Sequence, residues 1–324
     1  MLKKIARILL IALGVLILAA LIVPFFIPVP PLTGARSIEE LADPDSQFVD
    51  VNGQKIHYKI VGSGEPVMIL LHGFASSTNS WKGVMAPLSQ RGTVVVFDRH
   101  AFGLSARPLT WKGLNPYSPE AQTDIVVGLM DKLGIEQAVL VGNSAGGSVA
   151  AYTTLRYPER VLALVLVDPA IYSGGGAPSW VKPLLKIPQM RRLGPLVARS
   201  LLNRSEALIQ QAWHDPTQIT SKTLEEYRRF TQIADWDKAL WEFTLASRDL
   251  NLDERLAELK LPVLVITGDD DRIVTTEESV RLSKELPAAD LVVIPNCGHV
   301  PQEECPGPFT KALVDFVEKL RIPY

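Results

Sequence analysis

Six continuous apolar runs limit what this chain can fold into: Val67–Leu71, Val94–Phe97, Ala138–Val141, Leu162–Val167, Val263–Thr267 and Leu291–Ile294. A strand wetted on one face alternates apolar and polar residues. A strand buried on both faces does not, so such runs fit parallel strands covered by helices. Helical stretches lie between several of them. One opens at Ser118-Pro119-Glu120, a cap, a first-turn proline and an acid in order, and runs to about Leu133 before Gly134. Thr276–Leu286 and Phe309–Leu320 read the same way. Ahead of them, the alternating runs Phe48–Val51 and Ile56–Val61 flank Asn52-Gly53, a hairpin-turn signal. The pattern predicts an α/β domain with a mostly parallel, doubly wound sheet.

From about Ile171 to Leu250 the rhythm stops. No strand is evident there; helix-like patches, prolines and Trp180, Trp213, Trp236 and Trp241 take over. We read residues 171–250 as a helical cap inserted into a core made of residues 48–170 and 251–324.

The N-terminus sets the expected compartment. Lys3, Lys4 and Arg7 precede a run from Ile8 to Ile27 that carries no charge. About 20 helical residues reach about 30 Å, the thickness of a bilayer's hydrocarbon core. A cleavable signal would have an apolar region of about 7–15 residues ending in a small-x-small site. Here Ala19-Ala20 runs on into Leu21-Ile22-Val23 without a polar break, so residues 1–27 read as an uncleaved transmembrane anchor. Positive charge resists translocation, which places the N-terminus in the cytoplasm and the domain on the extracytoplasmic side. Pro24, Pro28, Pro30 and Pro31 end the helix and make residues 28–47 a short, semi-rigid stalk.

The formal net charge of −2 leaves no electrostatic footprint for nucleic acid. Cys297 and Cys305 are the only cysteines, too few for a disulfide framework or a four-cysteine metal site. They read as two free or buried thiols, with a local bridge as the alternative in an oxidising space. No metal or organic cofactor is called for.

The chemistry centres on Gly142-Asn143-Ser144-Ala145-Gly146, which follows the run Ala138–Val141 and precedes a helix beginning near Gly147. G-x-S-x-G between strand and helix lifts the serine clear of the sheet as a nucleophile elbow. The Ala145 amide then faces the substrate oxygen from a helix N-terminus. A turn serine is the plainer reading of the same five residues.

With this motif in place, the chain resembles the α/β-hydrolase fold superfamily from about Phe48 to the C-terminus. Leu71-His72-Gly73-Phe74 is similar to the family's oxyanion loop, which implies the Phe74 amide as a second donor. Phe97-Asp98-Arg99-His100-Ala101-Phe102-Gly103-Leu104-Ser105 is similar to a structural loop of the family, with His100 where proline is frequent. His100 reads as a surface or loop histidine, and His57 and His214 lack any comparable context. Gly268-Asp269-Asp270-Asp271 follows the run Val263–Thr267, and the resemblance selects Asp271 as the acid. Spacing alone does not choose among the three aspartates, and Asp168 is an alternative acid position. Cys297-Gly298-His299-Val300-Pro301 supplies His299, the histidine that completes the order Ser, Asp, His.

The resemblance implies a serine hydrolase of the carboxylesterase or lipase kind, working through an acyl-enzyme on Ser144. Carbon–carbon-bond or peptide-bond hydrolysis on the same fold stays open, as does a ligand-binding or receptor protein that keeps the three residues. The expected partner is a small-molecule or lipid ester. From Pro169 to Ser205 there is no acid, yet Lys182, Lys186, Arg191, Arg192, Arg199 and Arg204 are interleaved with apolar residues. That composition suits an anionic membrane surface, and equally a solvated face.

Overall fold

Asn52 and Gly53 both take positive φ, 55° and 76°, the two-residue turn that matches the right-handed twist of paired strands. They join β1 (Gln47–Val51) to β2 (Gln54–Val61) in a computed structural model that describes residues 2–172, 180–202 and 205–320. Six further strands follow: β3 (Val67–Leu71), β4 (Thr93–Phe97), β5 (Ala138–Asn143), β6 (Val161–Val167), β7 (Val263–Gly268) and β8 (Ala289–Ile294). The sheet order is β1-β2-β4-β3-β5-β6-β7-β8. The pairs β1–β2 and β2–β4 are antiparallel, and β3 to β8 run parallel to one another.

Helices cover both faces, as the unbroken apolar runs require. Side chains alternate along a strand, so Ile69 and Leu71 of β3 enter one core and Met68 and Leu70 the other. The first core is closed by Ile125 and Leu129 of a helix over Pro119–Leu133 and by Val149 of one over Ala145–Arg156. The second is closed by Val84 and Leu88 of Lys82–Leu88 and by Phe309 and Leu313 of Pro306–Val317. In chain order we label α1 (Leu2–Ile22), α2 (Lys82–Leu88), α3 (Pro119–Leu133) and α4 (Ala145–Arg156). Ser118 caps α3 by accepting from the Ala121 amide at 3.2 Å, and Gly134 ends it at φ 69°.

One strand departs from its apolar sequence. Leu291 and Val293 of β8 are about 40% exposed, 36% and 40%. β8 is the edge of the sheet, where no neighbour extends the cover. A continuous apolar run therefore marks a strand here without marking burial.

Between β6 and β7 the described residues form no strand. The insert carries α5 (Pro188–Leu202), α6 (Ser205–Ala212), α7 (Ser221–Arg228) and α8 (Trp236–Ala246). Phe230, Trp236 and Phe243 of this insert pack on Phe102 and Tyr117, which join it to the core. Two more helices, α9 (Thr276–Glu285) and α10 (Pro306–Val317), complete the fold.

Helix α1 stands apart. Leu9, Leu10 and Leu16 are 64%, 68% and 66% exposed, and the helix is long and apolar enough to cross a membrane. The segment after it differs from a free stalk. Ser37 and Glu40 form a reciprocal capping box at Ile38–Leu41, and Leu41 is buried with Leu104 and Ile233. Arg199 donates to the Pro30 carbonyl at 2.9 Å, and the Arg36 amide donates to Gln232 O at 2.8 Å. The prolines set the direction of the chain, while tertiary contacts strap it to the insert.

Candidate active site

Ser144 lies at the junction of β5 and α4 with φ 52° and ψ −122°, a region that L residues rarely adopt and that costs about 1–3 kcal/mol. Close packing holds the turn. A Cβ on Gly146 would lie 2.3 Å from the Leu71 carbonyl, and one on Gly142 would lie 2.4 Å from Gly146 O. No larger residue fits either place without moving backbone. Ala145 is the first residue of α4, so its N–H has no acceptor within the helix. The Ser144 hydroxyl makes no capping bond to α4 and engages no described group.

His299 reaches the same end of the sheet from the loop after β8. Its Nδ1 lies 2.7 Å from Asp271 Oδ2, and both side chains are buried. Asp271 Oδ1 accepts from the amides of Ile273 and Val274 at 2.8 and 3.0 Å, which fixes the carboxylate. The neighbouring aspartates face elsewhere. Asp270 pairs with His214 at 2.8 Å and with Arg272, and Asp269 accepts from the Cys297 amide at 3.3 Å. Asp168, the alternative acid, is fully buried at the end of β6. Its carboxyl, that of Asp271 and the His299 imidazole offer atoms all within 4.8 Å of one another.

The loop carrying Phe74 is held from beneath. His72 Nδ1 donates to the Gly73 carbonyl at 2.8 Å, and its Nε2 accepts from the Arg99 amide at 3.0 Å. Burial pushes the His72 pKa down to about 3, so the ring is neutral and can play both parts. The buried Arg99 guanidinium also donates to Gly73 O, at 3.0 Å, and to Gln122 at 2.8 Å. A cavity of about 110 Å³ opens beside Ala145, lined also by Arg99, Ser148, Val149, Ile171 and Phe243.

Asn143 was invisible as a site residue in the sequence. Its Nδ2 donates to His299 O at 3.1 Å and to Val167 O at 3.3 Å, clamping the histidine loop to the elbow. Only its place beside Ser144 hinted at this. Glu303 was likewise unmarked. It accepts from Ser80 at 2.5 Å and from Tyr227 of α7 at 2.7 Å, bridging core and insert. Burial pushes its pKa up to about 7, against the lowering effect of those two hydroxyls. The folded state thus binds this proton more tightly than the unfolded chain, so the contribution of Glu303 to stability is fully present below about pH 4.5 and is lost as pH rises through about 7. Some solvent contact trims the effect to about 1–2 kcal/mol. In urea melts the wild type should lose that much between pH 5 and 8, and Glu303→Gln should flatten the slope.

One expectation needs correction. Cys297 and Cys305 are not free thiols; they form a disulfide with Cα atoms 6.3 Å apart, because the one-turn helix Pro301–Glu304 ends at Cys305 and brings it back to the turn after β8. The bridge closes the loop that carries His299. With a sequence separation of 8 it should contribute about 2–3 kcal/mol. Cys305→Ser should lower the urea-melt stability by that amount, and an unchanged midpoint would contradict the bridge. His100 is a loop histidine, and a buried one: it is 2% exposed, and Nδ1 meets Ala106 O at 3.1 Å. The family-like loop folds back on itself there and encloses the ring.

The basic residues of the insert are mostly committed within the molecule. Lys182 donates to Ser247 O, Arg191 pairs with Glu242, and Arg199 pairs with Asp237. Arg192 donates to Ile27 O at 3.1 Å, at the end of the N-terminal apolar segment. Arg204 lies outside the described residues. A run without acids in sequence therefore found its acids and carbonyls at long range.

The topology and the elbow define an α/β-hydrolase. Residues 66–306 match the α/β hydrolase fold family, and the chain belongs to it. Among its relatives is the 2-hydroxy-6-oxononadienedioate/2-hydroxy-6-oxononatrienedioate hydrolase of Comamonas testosteroni, 30% identical over 286 residues, covering 84% of this chain and 96% of that one. A solved esterase from Thermogutta terrifontis superposes with TM-score 0.70 at 26% identity, over 85% of this chain and 100% of its own. A membrane phospholipase A shares the fold over 99% of both chains, with TM-score 0.65 at 24% identity.

Proposed function

We propose that this hydrolase cleaves carboxylic esters through an acyl-enzyme on Ser144, with His299 as general base and Asp271 as the acid that orients it. The observation that carries the reading is the strained elbow serine at the end of β5, with a buried histidine–carboxylate pair contributed by the segments after β8 and β7. A hydroxyl is a poor nucleophile at neutral pH, so His299 Nε2 takes its proton as the oxygen attacks the ester carbonyl. The amides of Phe74 and Ala145 receive the negative charge that develops on the carbonyl oxygen. His299 then protonates the departing alcohol, and a water activated by the same nitrogen releases the acid. The hydroxyl moves into reach of Nε2 when substrate fills the site, since such bonds tighten in the substrate complex.

The helical insert acts as a cap over this site, and α1 as the membrane anchor. An exposed apolar cylinder of that length is stable in lipid and not in water. The disulfide suits an oxidising compartment, which supports a catalytic domain on the extracytoplasmic side. Lipid esters beside the anchor are the substrates closest to hand.

A second reading is favoured by the Comamonas relative. The compounds in its name have no ester or amide, so their hydrolysis cuts a carbon–carbon bond. One assay separates the two: turnover of p-nitrophenyl esters of rising chain length beside turnover of a 2-hydroxy-6-oxo-dienoate by the detergent-solubilised full chain. Ester turnover is expected to exceed dienoate turnover by about 100-fold or more in kcat/KM, equivalent to about 3 kcal/mol. The reverse order would replace the first reading with the second.

A further inference from the structure

The Asp168 carboxyl has no role in the mechanism above, yet it sits inside the group that carries it. It is fully buried at the end of β6. Oδ1 is satisfied twice, by the Thr267 hydroxyl at 2.7 Å and the Gly268 amide at 3.2 Å. Oδ2 is buried and meets no donor among the described residues. The nearest acid is Asp271, which offers a carboxylate oxygen within 4.8 Å and is itself an acceptor for two amides and for His299. Two carboxylates cannot both stay ionised at that separation in a dry site unless a cation neutralises them. The groups acting most strongly on Asp168 are Asp271, Thr267 and the Gly268 amide, and the His299 ring offers a nitrogen within 4.8 Å; no Lys or Arg among the described residues forms an ion pair with it. One of the two acids therefore holds a proton. Asp271 has three N–H donors and needs the charge, whereas Asp168 has an oxygen with none.

We infer that Asp168 is a neutral carboxylic acid that donates its proton from Oδ2 to the Asp271 carboxylate, so that His299 is supported by two carboxyl groups carrying one charge. This rests on the roles proposed for Asp271 and His299. Burial first, and then the neighbouring Asp271 charge, push the affinity of Asp168 for its proton well up, in agreement with the geometry. Asp168 is a positioning residue: it touches no reacting atom, but it fixes the Asp271 carboxylate and limits how strongly the site attracts protons. As pH rises through its ionisation, a second negative charge appears beside Asp271 and His299 holds its own proton more tightly.

The test has two independent readouts. Asparagine keeps an acceptor for Thr267 and Gly268 and supplies an N–H where the acid supplied its O–H. Asp168→Asn should keep kcat within about threefold, and the acid limb of its kcat/KM profile should lie on that of the wild type. Asp168→Ala, which lacks the donor, should lose about tenfold. If Asp168 were an anion, Asp168→Asn would move the acid limb down by about one to two pH units. That displacement would overturn the inference.

The second readout needs no activity, so it survives failure of the ester assignment. Glu303 is a second buried acid whose proton affinity is raised, so it has to be removed from the spectrum. In the Glu303→Gln background, the infrared spectrum at pH 7 should therefore retain one protonated-carboxyl C=O band. Its absence would overturn the inference even if Asp168→Asn failed to fold. A band that appears only after chelation would do the same, by showing a cation in place of the proton.

Discussion

Ser144→Ala should lower ester turnover by about 10⁵–10⁶-fold and abolish covalent labelling by a fluorophosphonate probe. In the proposed mechanism the hydroxyl forms the acyl bond, and its described neighbours cannot substitute for it. Ala145 offers an amide, Asn143 is spent on the carbonyls of Val167 and His299, and Ser148 donates to Ala170 O at 2.6 Å. The residue of catalysis left behind, about 10³–10⁴ over water, would come from the oxyanion amides and substrate binding. The variant should fold normally, because the Ser144 side chain caps nothing and alanine meets the same backbone strain. Labelling at unchanged strength in the alanine variant would remove Ser144 from the mechanism, leaving the fold and its family membership intact.

The second large effect belongs to Asp271→Asn, which should cost about 10³–10⁴-fold in kcat with KM little changed. Asp271 Oδ2 accepts the Nδ1–H of His299, which leaves Nε2 bare to take the serine proton. An amide nitrogen turned to the same place would donate to Nδ1. The ring would then carry its hydrogen on Nε2, facing Ser144, and could not act as a base. The amide oxygen is held away from the imidazole, because the Ile273 and Val274 amides require an acceptor at the Oδ1 position. Asp168→Asn should cost little, so the same substitution at two adjoining acids has opposite outcomes. Comparable losses at both, or the larger loss at Asp168, would transfer the orienting role to residue 168.

Where the sequence was legible, the signals were local. Asn52-Gly53 specified its turn because few residue pairs accept positive φ twice. Ser118-Pro119 opened α3 because a side-chain cap and a fixed φ act within one turn. The G-x-S-x-G motif placed Ser144 at the strand–helix corner, since only glycine tolerates the approach of Leu71 O and Gly146 O. The runs that became β3, β5, β6 and β7 were apolar throughout because both of their faces are covered.

What could not be read was the partner of each side chain. Three consecutive aspartates have almost the same local context, yet the fold turns Asp269 to the Cys297 amide, Asp270 to His214 and Asp271 to His299. The basic residues of the insert looked free until Asp237, Glu242 and the carbonyls of Pro30 and Ile27 came within reach.

Read alone, the amino-acid order determined the layered sheet, the apolar N-terminal helix and the corner that lifts one serine out of its strand. Those depend on backbone dihedrals and on apolar periodicity, which act over a few residues. Tertiary structure decided which aspartate meets the histidine, that the two cysteines join, and that a second buried acid lies against the first. Each of those depends on bringing together groups far apart or in nearly equivalent positions along the chain, and burial then makes an unpaired charge too costly to leave in place.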